Sequence, residues 1–182
     1  IGIYKSRNYK VIADLLGGEY WVDIDQFSER DFPSDTTMLQ NDLNNPNRVI
    51  GVGDTYGYDY DVHINNQSAW GLAEFSYSHL DFYLGLTLGS SQFWRTGNMK
   101  NGRYPENSYG DSEKFSFFNY SAKGGVTYKL TGRHFLVLNT GFFNLAPNFN
   151  DVFQAPRINN LTVPDVTSKQ VFSADLSYIL RT

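Results

Sequence analysis

Cysteine is absent from this chain of 182 residues, which excludes a disulfide framework and a thiolate metal site. Long hydrophobic runs are also missing, because no stretch reaches the roughly 18 apolar residues that a membrane-spanning helix needs. There is no excess of basic residues either, since 15 Lys and Arg stand against 19 Asp and Glu, for a net charge of −4. This balance argues against a nucleic-acid partner, which usually requires a basic patch.

Signals for catalysis and for cofactors are missing as well. The chain has no Ser-His-Asp spacing, no glycine-rich phosphate loop and no nucleophile elbow, and its three histidines are scattered. Two Asp-x-Asp pairs, Asp23 with Asp25 and Asp59 with Asp61, have oxygen ligands to offer calcium. Neither pair has the glycine and distal glutamate of an EF-hand, so solvated loop carboxylates are the favoured interpretation. We therefore expect a protein that is not an enzyme and holds no cofactor or metal.

Aromatic residues are plentiful, with 13 Tyr and 14 Phe, and they fall on alternating segments. Strict period-two alternation covers residues 82–92, 118–130 and 169–181, with Leu, Phe and Tyr on one face and Gly, Ser, Thr and Asn on the other. Strands of about a dozen residues are longer than those of soluble domains, which cluster near five or six. A polar face of small residues is typical of a wide, water-filled interior. This pattern predicts membrane-crossing strands.

Charged residues decide which face of each predicted strand would meet lipid. Lys or Arg pointing at hydrocarbon costs roughly 2–4 kcal/mol near the midplane, so Lys123, Lys129, Asp175 and Arg181 are predicted to face the interior. The same rule, applied to Glu74 and Asn139, places Ala73, Phe75, Tyr77, Leu136, Leu138, Thr140 and Phe142 on the lipid side, and Trp70 and Leu72 on the inner side.

The predicted connections alternate between short and long. Residues 78–81 and 131–134 read as tight turns, whereas residues 91–114 and 144–168 read as wide loops. All tight turns would then lie at one end of the sheet, a polarity typical of outer-membrane barrels.

The first 65 residues differ from the rest and are predicted as the end of a strand plus a large extracellular loop. Short helices are predicted over residues 10–16 and 36–43, with an alternating stretch over residues 20–27. Residues 66–182 are predicted as barrel strands with two long outer loops. Both ends look like cut strands, so we expect an internal piece of a larger protein, with a plug domain absent from this chain.

Aromatic and arginine side chains in the long loops form a candidate binding surface. Tyr and Trp supply contact area at low entropic cost, and Arg supplies fixed donors. The candidate ligand-binding residues are Trp94, Arg95, Arg103, Tyr104, Tyr109, Tyr58 and Tyr60. For Trp94 and Tyr104 the alternatives are an interfacial girdle or loop packing.

Residues 145–157 read Leu-Ala-Pro-Asn-Phe-Asn-Asp-Val-Phe-Gln-Ala-Pro-Arg, and Asn159 follows. This stretch resembles a strand-to-loop segment in the barrel of TonB-dependent outer-membrane receptors of the Bacteroides group. Residues 23–32, 40–48 and 102–110 are similar to loop segments of the same receptors. Such receptors have a large barrel, a plug inside it, and a TonB box that an inner-membrane energy complex pulls.

The resemblance implies an all-β, antiparallel transmembrane β-barrel, of which this chain supplies roughly five long strands. It implies TonB-dependent uptake of a chelate, glycan or peptide across the bacterial outer membrane. The implied partners are membrane lipid, the TonB complex through parts not in this chain, and a surface lipoprotein. Two alternatives stay open: a passive porin-like or adhesin barrel, and a soluble secreted glycan-binding β domain.

Overall fold

The computed structural model describes residues 1–16 and 21–181, and most of these residues belong to one long antiparallel sheet. Residue 20 of the alternating stretch predicted over residues 20–27 lies outside the described part. The elements in chain order are β1 (Gly2–Val11), β2 (Trp21–Val22), α1 (Gln26–Asp31), β3 (Val49–Ile50), β4 (Thr55–Ser76), β5 (Leu80–Gly97), β6 (Gly110–Asp111), β7 (Phe115–Lys129), β8 (His134–Leu145), α2 (Phe149–Val152) and β9 (Lys169–Leu180).

Six long strands form the main sheet, in the order β1-β4-β5-β7-β8-β9, and the short strand β6 pairs with β5. Every pairing is antiparallel. The sheet curls into an open half-barrel, which confirms the predicted all-β antiparallel architecture of long strands. A separate two-stranded ladder joins β2 to β3. In the described part of the chain, no helix has the length and apolarity needed to cross a membrane.

Strand register places the predicted apolar residues on a single face of the sheet. Residues directly opposite each other in antiparallel strands share a face. One row of such paired residues, called here a rung, can be followed across five strands. On the apolar face it joins Gly71, Leu86, Ala122, Phe142 and Phe172. The predicted outward row of β8 therefore lies with the outward rows of its neighbours.

The apolar face is uncovered in the described part of the chain. Relative exposure is 51% for Leu84, 52% for Leu86, 47% for Tyr128 and 73% for Leu176. A two-layer sandwich would bury these four side chains in a dry centre between its sheets. The half-barrel instead leaves a contiguous apolar surface on strands β4, β5, β7, β8 and β9.

The opposite, polar face carries a chain of hydrogen bonds across neighbouring strands. One rung on this face joins Glu74, Tyr83, Gly125, Asn139 and Asp175. The Tyr83 hydroxyl donates to the Asn139 side-chain oxygen at 3.2 Å, and the Asn139 amide donates to Asp175 at 2.8 Å. A Cβ on Gly125 would lie 2.4 Å from the Tyr83 ring, so the glycine lets the ring cross β7 to reach β8.

Ion pairs and packing also place the predicted inward charges on the polar face. Lys129 Nζ lies 2.6 Å from Asp81 Oδ1. The stem of Lys123 covers Gly85, whose added Cβ would stand 3.0 Å from Lys123 Cε. Lys123 and Lys129 therefore share the polar face, as predicted from their spacing. Trp70 and Leu72 lie on the same face, opposite Thr87 and Gly85.

Two predicted helices are wrong. Over residues 10–16 the chain instead continues β1 to Val11, where it still pairs with Thr55 of β4. Over residues 36–43 it forms turns, because Asp35 accepts hydrogen bonds from the amides of Thr37 and Met38 but Gln40 then bridges to Ile24.

The helix of this region is α1, which begins at Gln26, near the end of the stretch predicted to alternate. The Asp25 carboxylate accepts from the amides of Phe27 and Ser28, both at 3.0 Å, and so caps the helix N-terminus. The long strands also extend further than predicted: β4 begins at Thr55, and β5 runs to Gly97. The sheet therefore continues into segments that were predicted as loops.

A small aromatic core lies at the loop end of the sheet. Phe93, Val152 and Phe153 are buried there, and Phe149 stacks on Phe153 with ring centroids 4.5 Å apart. Phe93 belongs to the polar face, because it continues the alternation of Thr87 and pairs with Phe115. The segment after β8 thus folds back over the polar face and positions the surface described next.

Candidate ligand-binding cleft

Three segments enclose a cleft at the loop end of the half-barrel. Two adjoining cavities, of about 220 Å³ and about 600 Å³, share Asp25, Phe27, Arg157 and Ile158 among their lining residues. They therefore form one continuous depression, called here the loop cleft. Its walls come from the start of α1, from the first residues of β4, and from residues 153–158 after α2.

Tyrosine rings from β4 form the floor of the loop cleft. Tyr58 and Tyr60 lie on the same face of the strand, with ring centroids 6.2 Å apart. The Arg157 guanidinium carbon lies 5.2 Å from the Tyr58 ring centroid. The alternation of β4 thus aims both rings at the cleft while Asp59 and Asp61 point away.

Arg95 is buried beneath this floor and ties the loops together. Its side chain is 1% exposed, and its guanidinium carbon lies 5.1 Å from the Tyr60 ring centroid. It donates to the carbonyl oxygen of Pro156 at 2.5 Å, to that of Ser108 at 3.0 Å, and to the Asn160 side-chain oxygen. Burial lowers the pKa of Arg95 to about 10, so the group stays charged at neutral pH.

Close backbone contact fixes the loop between β5 and β6 around Arg95. A Cβ on Gly97 would lie 1.8 Å from the Ser108 carbonyl oxygen and 2.6 Å from Arg95 Nη1. Only glycine leaves room for that carbonyl to reach the guanidinium. Residues 98–109 are therefore held against the end of β5 by the same arginine that holds residues 156–160.

The structure brings together some, but not all, of the predicted binding residues. Tyr58, Tyr60 and Arg103 line the loop cleft, whereas Arg95 supports it from below. Trp94 lies on the other face of β5, stacked on His63 at 4.6 Å with the Lys114 ammonium 4.7 Å from its ring. Tyr104 lies beside Arg103. Tyr109 is exposed and does not line the cleft.

Several lining residues were missed by sequence reasoning. Lys10, Asp25, Phe27 and Arg157 reach the cleft from segments far apart along the chain. Their spacing carries no signal because the sheet register and the fold of residues 21–55 bring them together. The one available hint was the Pro-Arg pair that ends the stretch 145–157.

The Asp-x-Asp pairs serve as structural partners rather than as solvated loop carboxylates. Asp59 is 5% exposed and accepts two hydrogen bonds from Arg7, at 2.9 and 2.5 Å. Asp61 lies 3.2 Å from Lys5 Nζ, and Asp25 caps α1. Within residues 1–16 and 21–181, no group of three or more His, Cys, Asp or Glu side chains has the arrangement of a metal site.

Asp23 is a buried carboxylate next to the cleft wall. It is 0% exposed, and its carboxylate lacks a hydrogen-bond donor in the described part of the chain. Its nearest cation is Arg48, with an N–O distance of 3.7 Å. Desolvation by burial raises the pKa of Asp23 to about 6, against the opposing pull of Arg48.

Acidification is expected to stabilise the β2–β3 ladder through Asp23. Because the folded pKa of about 6 lies above the ordinary aspartate pKa of 3.8, the folded state binds more protons in that window. Its stability should therefore fall as pH rises from about 4 to 6 and level off above. Hydrogen exchange of the Asp23 amide, which donates to the Arg48 carbonyl at 2.6 Å, should be slower at pH 4.5 than at pH 7.5, after correction for intrinsic rates.

The matched variant is Asp23→Asn, which keeps the shape of the side chain but cannot ionise. It should lose this pH dependence and match or exceed the wild-type protection at pH 7.5. A wild-type protection factor that rises with pH across the same window would contradict the assignment.

Comparison of the chain with models of protein families, with curated proteins and with solved structures gives no match. The resemblance of residues 145–157 to TonB-dependent receptors accordingly stays a prediction. The functional argument therefore starts from the exposed apolar face and the loop cleft.

Proposed function

We propose that this half-barrel is part of the wall of an outer-membrane receptor that captures a ligand at its loop end and imports it with TonB-derived energy. The observation that carries the proposal is the contiguous apolar face, on which Leu86, Phe172 and Leu176 are each more than half exposed. Soluble monomers rarely leave such a surface uncovered. In contact with lipid, the apolar side chains of this face avoid the free-energy cost of exposure to water. The polar face then lines the interior of the barrel.

Strand length supports the same environment. β8 and β9 are each 12 residues long, which at about 3.3 Å per residue gives roughly 40 Å. A strand tilted by about 45° then covers roughly 28 Å along the membrane normal, close to the thickness of about 30 Å of a hydrocarbon core.

The apolar face also ends where a membrane boundary would be expected. Further along β4, the same face carries His63 and Asp61 in place of apolar side chains. The Thr96 hydroxyl lies 3.1 Å from His63 Nε2 and donates to Asp111 at 2.6 Å. Ionic and hydrogen-bonded groups replace the apolar row on the side where the loops begin, as they would in contact with water and lipid headgroups.

Energised import is supported by the resemblance of residues 145–157 and by the position of the loop cleft. The cleft lies over the polar face at the loop end, where a ligand captured from outside would enter the interior. Additional strands would have to cover the outer edges of β1 and β9, because unpaired backbone groups are not tolerated in hydrocarbon.

The proposal is tested by locating the intact protein and measuring uptake in cells with and without a functional TonB complex. We expect recovery in the outer membrane and ligand uptake that stops when the TonB complex is disrupted. Uptake that continues without it would support a passive porin instead. Recovery in the soluble periplasm or the medium would contradict any membrane function.

A further inference from the structure

We infer that the loop cleft binds an anionic ligand, one that carries carboxylate or sulfate groups on a ring with a flat apolar face. This inference builds on the proposed function, since it names the class of ligand that the receptor would capture. The carrying observation is a surplus of cations over an aromatic floor, with no ion pair to these cations in the described part of the chain.

Cations predominate among the charged groups that line the cleft. Lys10, Arg103 and Arg157 contribute positive charge, and Asp25 is the acid among the described lining residues. One Asp25 oxygen already accepts two amide hydrogen bonds at the start of α1. In the described part of the chain, none of the three cations has a carboxylate oxygen within 4.0 Å.

Each of these cations lies against an aromatic ring, and Arg103 also lies within electrostatic range of the Asp31 carboxylate. Arg157 lies over Tyr58, Lys10 lies 4.6 Å from the Tyr56 ring centroid, and Arg103 lies 5.7 Å from the Phe32 centroid. A guanidinium stacked on a ring keeps its in-plane N–H donors available, and these match a carboxylate or sulfate in a two-point contact.

The aromatic floor of the cleft would contact the apolar face of the ligand ring. Tyr58 and Tyr60 lie side by side, and Phe27 contributes to both halves of the cleft. Flat rings of this kind bind the apolar face of a sugar or of an aromatic ring by stacking. A ring ligand on this floor would bring acid substituents within reach of the guanidinium groups at the rim.

The rim is held in place before any ligand binds. Arg95 fixes the Pro156 carbonyl and the Asn160 side chain on either side of Arg157. Pro156 and Arg157 are the central residues of a turn that is closed by the Ile158 amide, which donates to the Ala155 carbonyl at 3.0 Å. Preorganisation of this kind lowers the ordering cost of binding, which fits a capture site better than a loose surface arginine.

The test measures binding to the intact protein purified in detergent. The first probes are a trisaccharide of galacturonic acid and the matched neutral trisaccharide of galactose. The second pair is naphthoate and the neutral naphthalenemethanol, which separates acidic sugars from aromatic acids as the source of the charge. We expect the acidic member of at least one pair to bind about tenfold or more tightly than its neutral match, and the preference to weaken with added salt.

The decisive variant is Arg157→Ala, which should reduce affinity for the acidic probe by about tenfold or more. Arg133→Ala is the matched control, because Arg133 is an exposed arginine in the turn between β7 and β8, at the other end of the sheet. It should leave affinity unchanged. Arg157→Lys keeps the charge but loses the two-point geometry and should fall between the two.

Three results would overturn the inference: no binding of either acidic probe, equal binding of acidic and neutral probes, or wild-type affinity in the Arg157→Ala protein. Binding in detergent requires neither membrane insertion nor the TonB complex. A protein that binds the acidic probe but is recovered as a soluble protein would therefore refute the proposed function while leaving the ligand class intact.

Discussion

Replacing Leu86 with lysine, or Val126 with arginine, is expected to remove most of the assembled protein from the membrane. Leu86 and Val126 lie on the apolar face of adjacent strands, 52% and 39% exposed, with no protein layer over them in the described part of the chain. A lysine or arginine on a lipid-facing position near the midplane costs roughly 2–4 kcal/mol. The measurement is the amount of folded protein in the outer-membrane fraction.

Thr87→Lys is the matched control for these substitutions. Thr87 is next to Leu86 on the same strand but lies on the polar face, opposite Trp70 and Ser121. Lysine is already present on this face at position 123, so Thr87→Lys should assemble at near wild-type levels. Equal loss in all three variants, or equal tolerance, would refute the assignment of the two faces.

Truncating Arg95 is expected to release both long loops while leaving the sheet assembled. Arg95→Ala leaves the Ser108 and Pro156 carbonyls and the Asn160 side chain without their donor, next to a cavity. Hydrogen bonds from a charged donor contribute about 1.5–3 kcal/mol each. The loss in local stability should therefore reach about 3–5 kcal/mol, because uncompensated groups are left buried.

Hydrogen exchange measures the loss of local stability in each of the two loops separately. Amides of Ser112, which donates to the Arg95 carbonyl, and of Asn160, which donates to the Asn107 carbonyl, should exchange far faster in the Arg95→Ala protein. Amides in the centre of β7 should be unaffected. Arg157→Ala makes the same chemical change at an exposed site and should leave all of these amides protected. Unchanged protection around Asn160 in the Arg95→Ala protein would contradict the anchoring role.

Sequence reasoning predicted the strands over residues 82–92, 118–130 and 169–181, where apolar and small polar residues alternate. The segment from Tyr56 to Ile64 alternates just as regularly, with Tyr58, Tyr60 and Val62 on one face. Its Asp-x-Asp pair, Asp59 and Asp61, was taken as solvated loop carboxylates. The structure neutralises Asp59 and Asp61 with Arg7 and Lys5 of β1, a compensation that local sequence does not reveal.

The misplaced helices and the missed cleft residues have a common physical cause. Residues 23–48 are held by contacts between distant positions, such as the Asp23 amide to the Arg48 carbonyl and the Asp25 amide to the Leu39 carbonyl. These contacts override local helix propensity over residues 36–43. Arg157 and Tyr58 meet across such an arrangement, so their proximity follows from the fold and has no signature in spacing.

The central claim, that the apolar face of the half-barrel contacts hydrocarbon, is tested most directly by solvent accessibility at paired positions. The chain has no cysteine, so a single cysteine carries one spin label in the intact protein reconstituted in lipid vesicles. Labels at positions 86, 138 and 176 should collide with oxygen dissolved in the lipid. Labels at positions 87, 139 and 177 should instead collide with a polar nickel complex in water. Preferential contact of the first set with the nickel complex would contradict the claim.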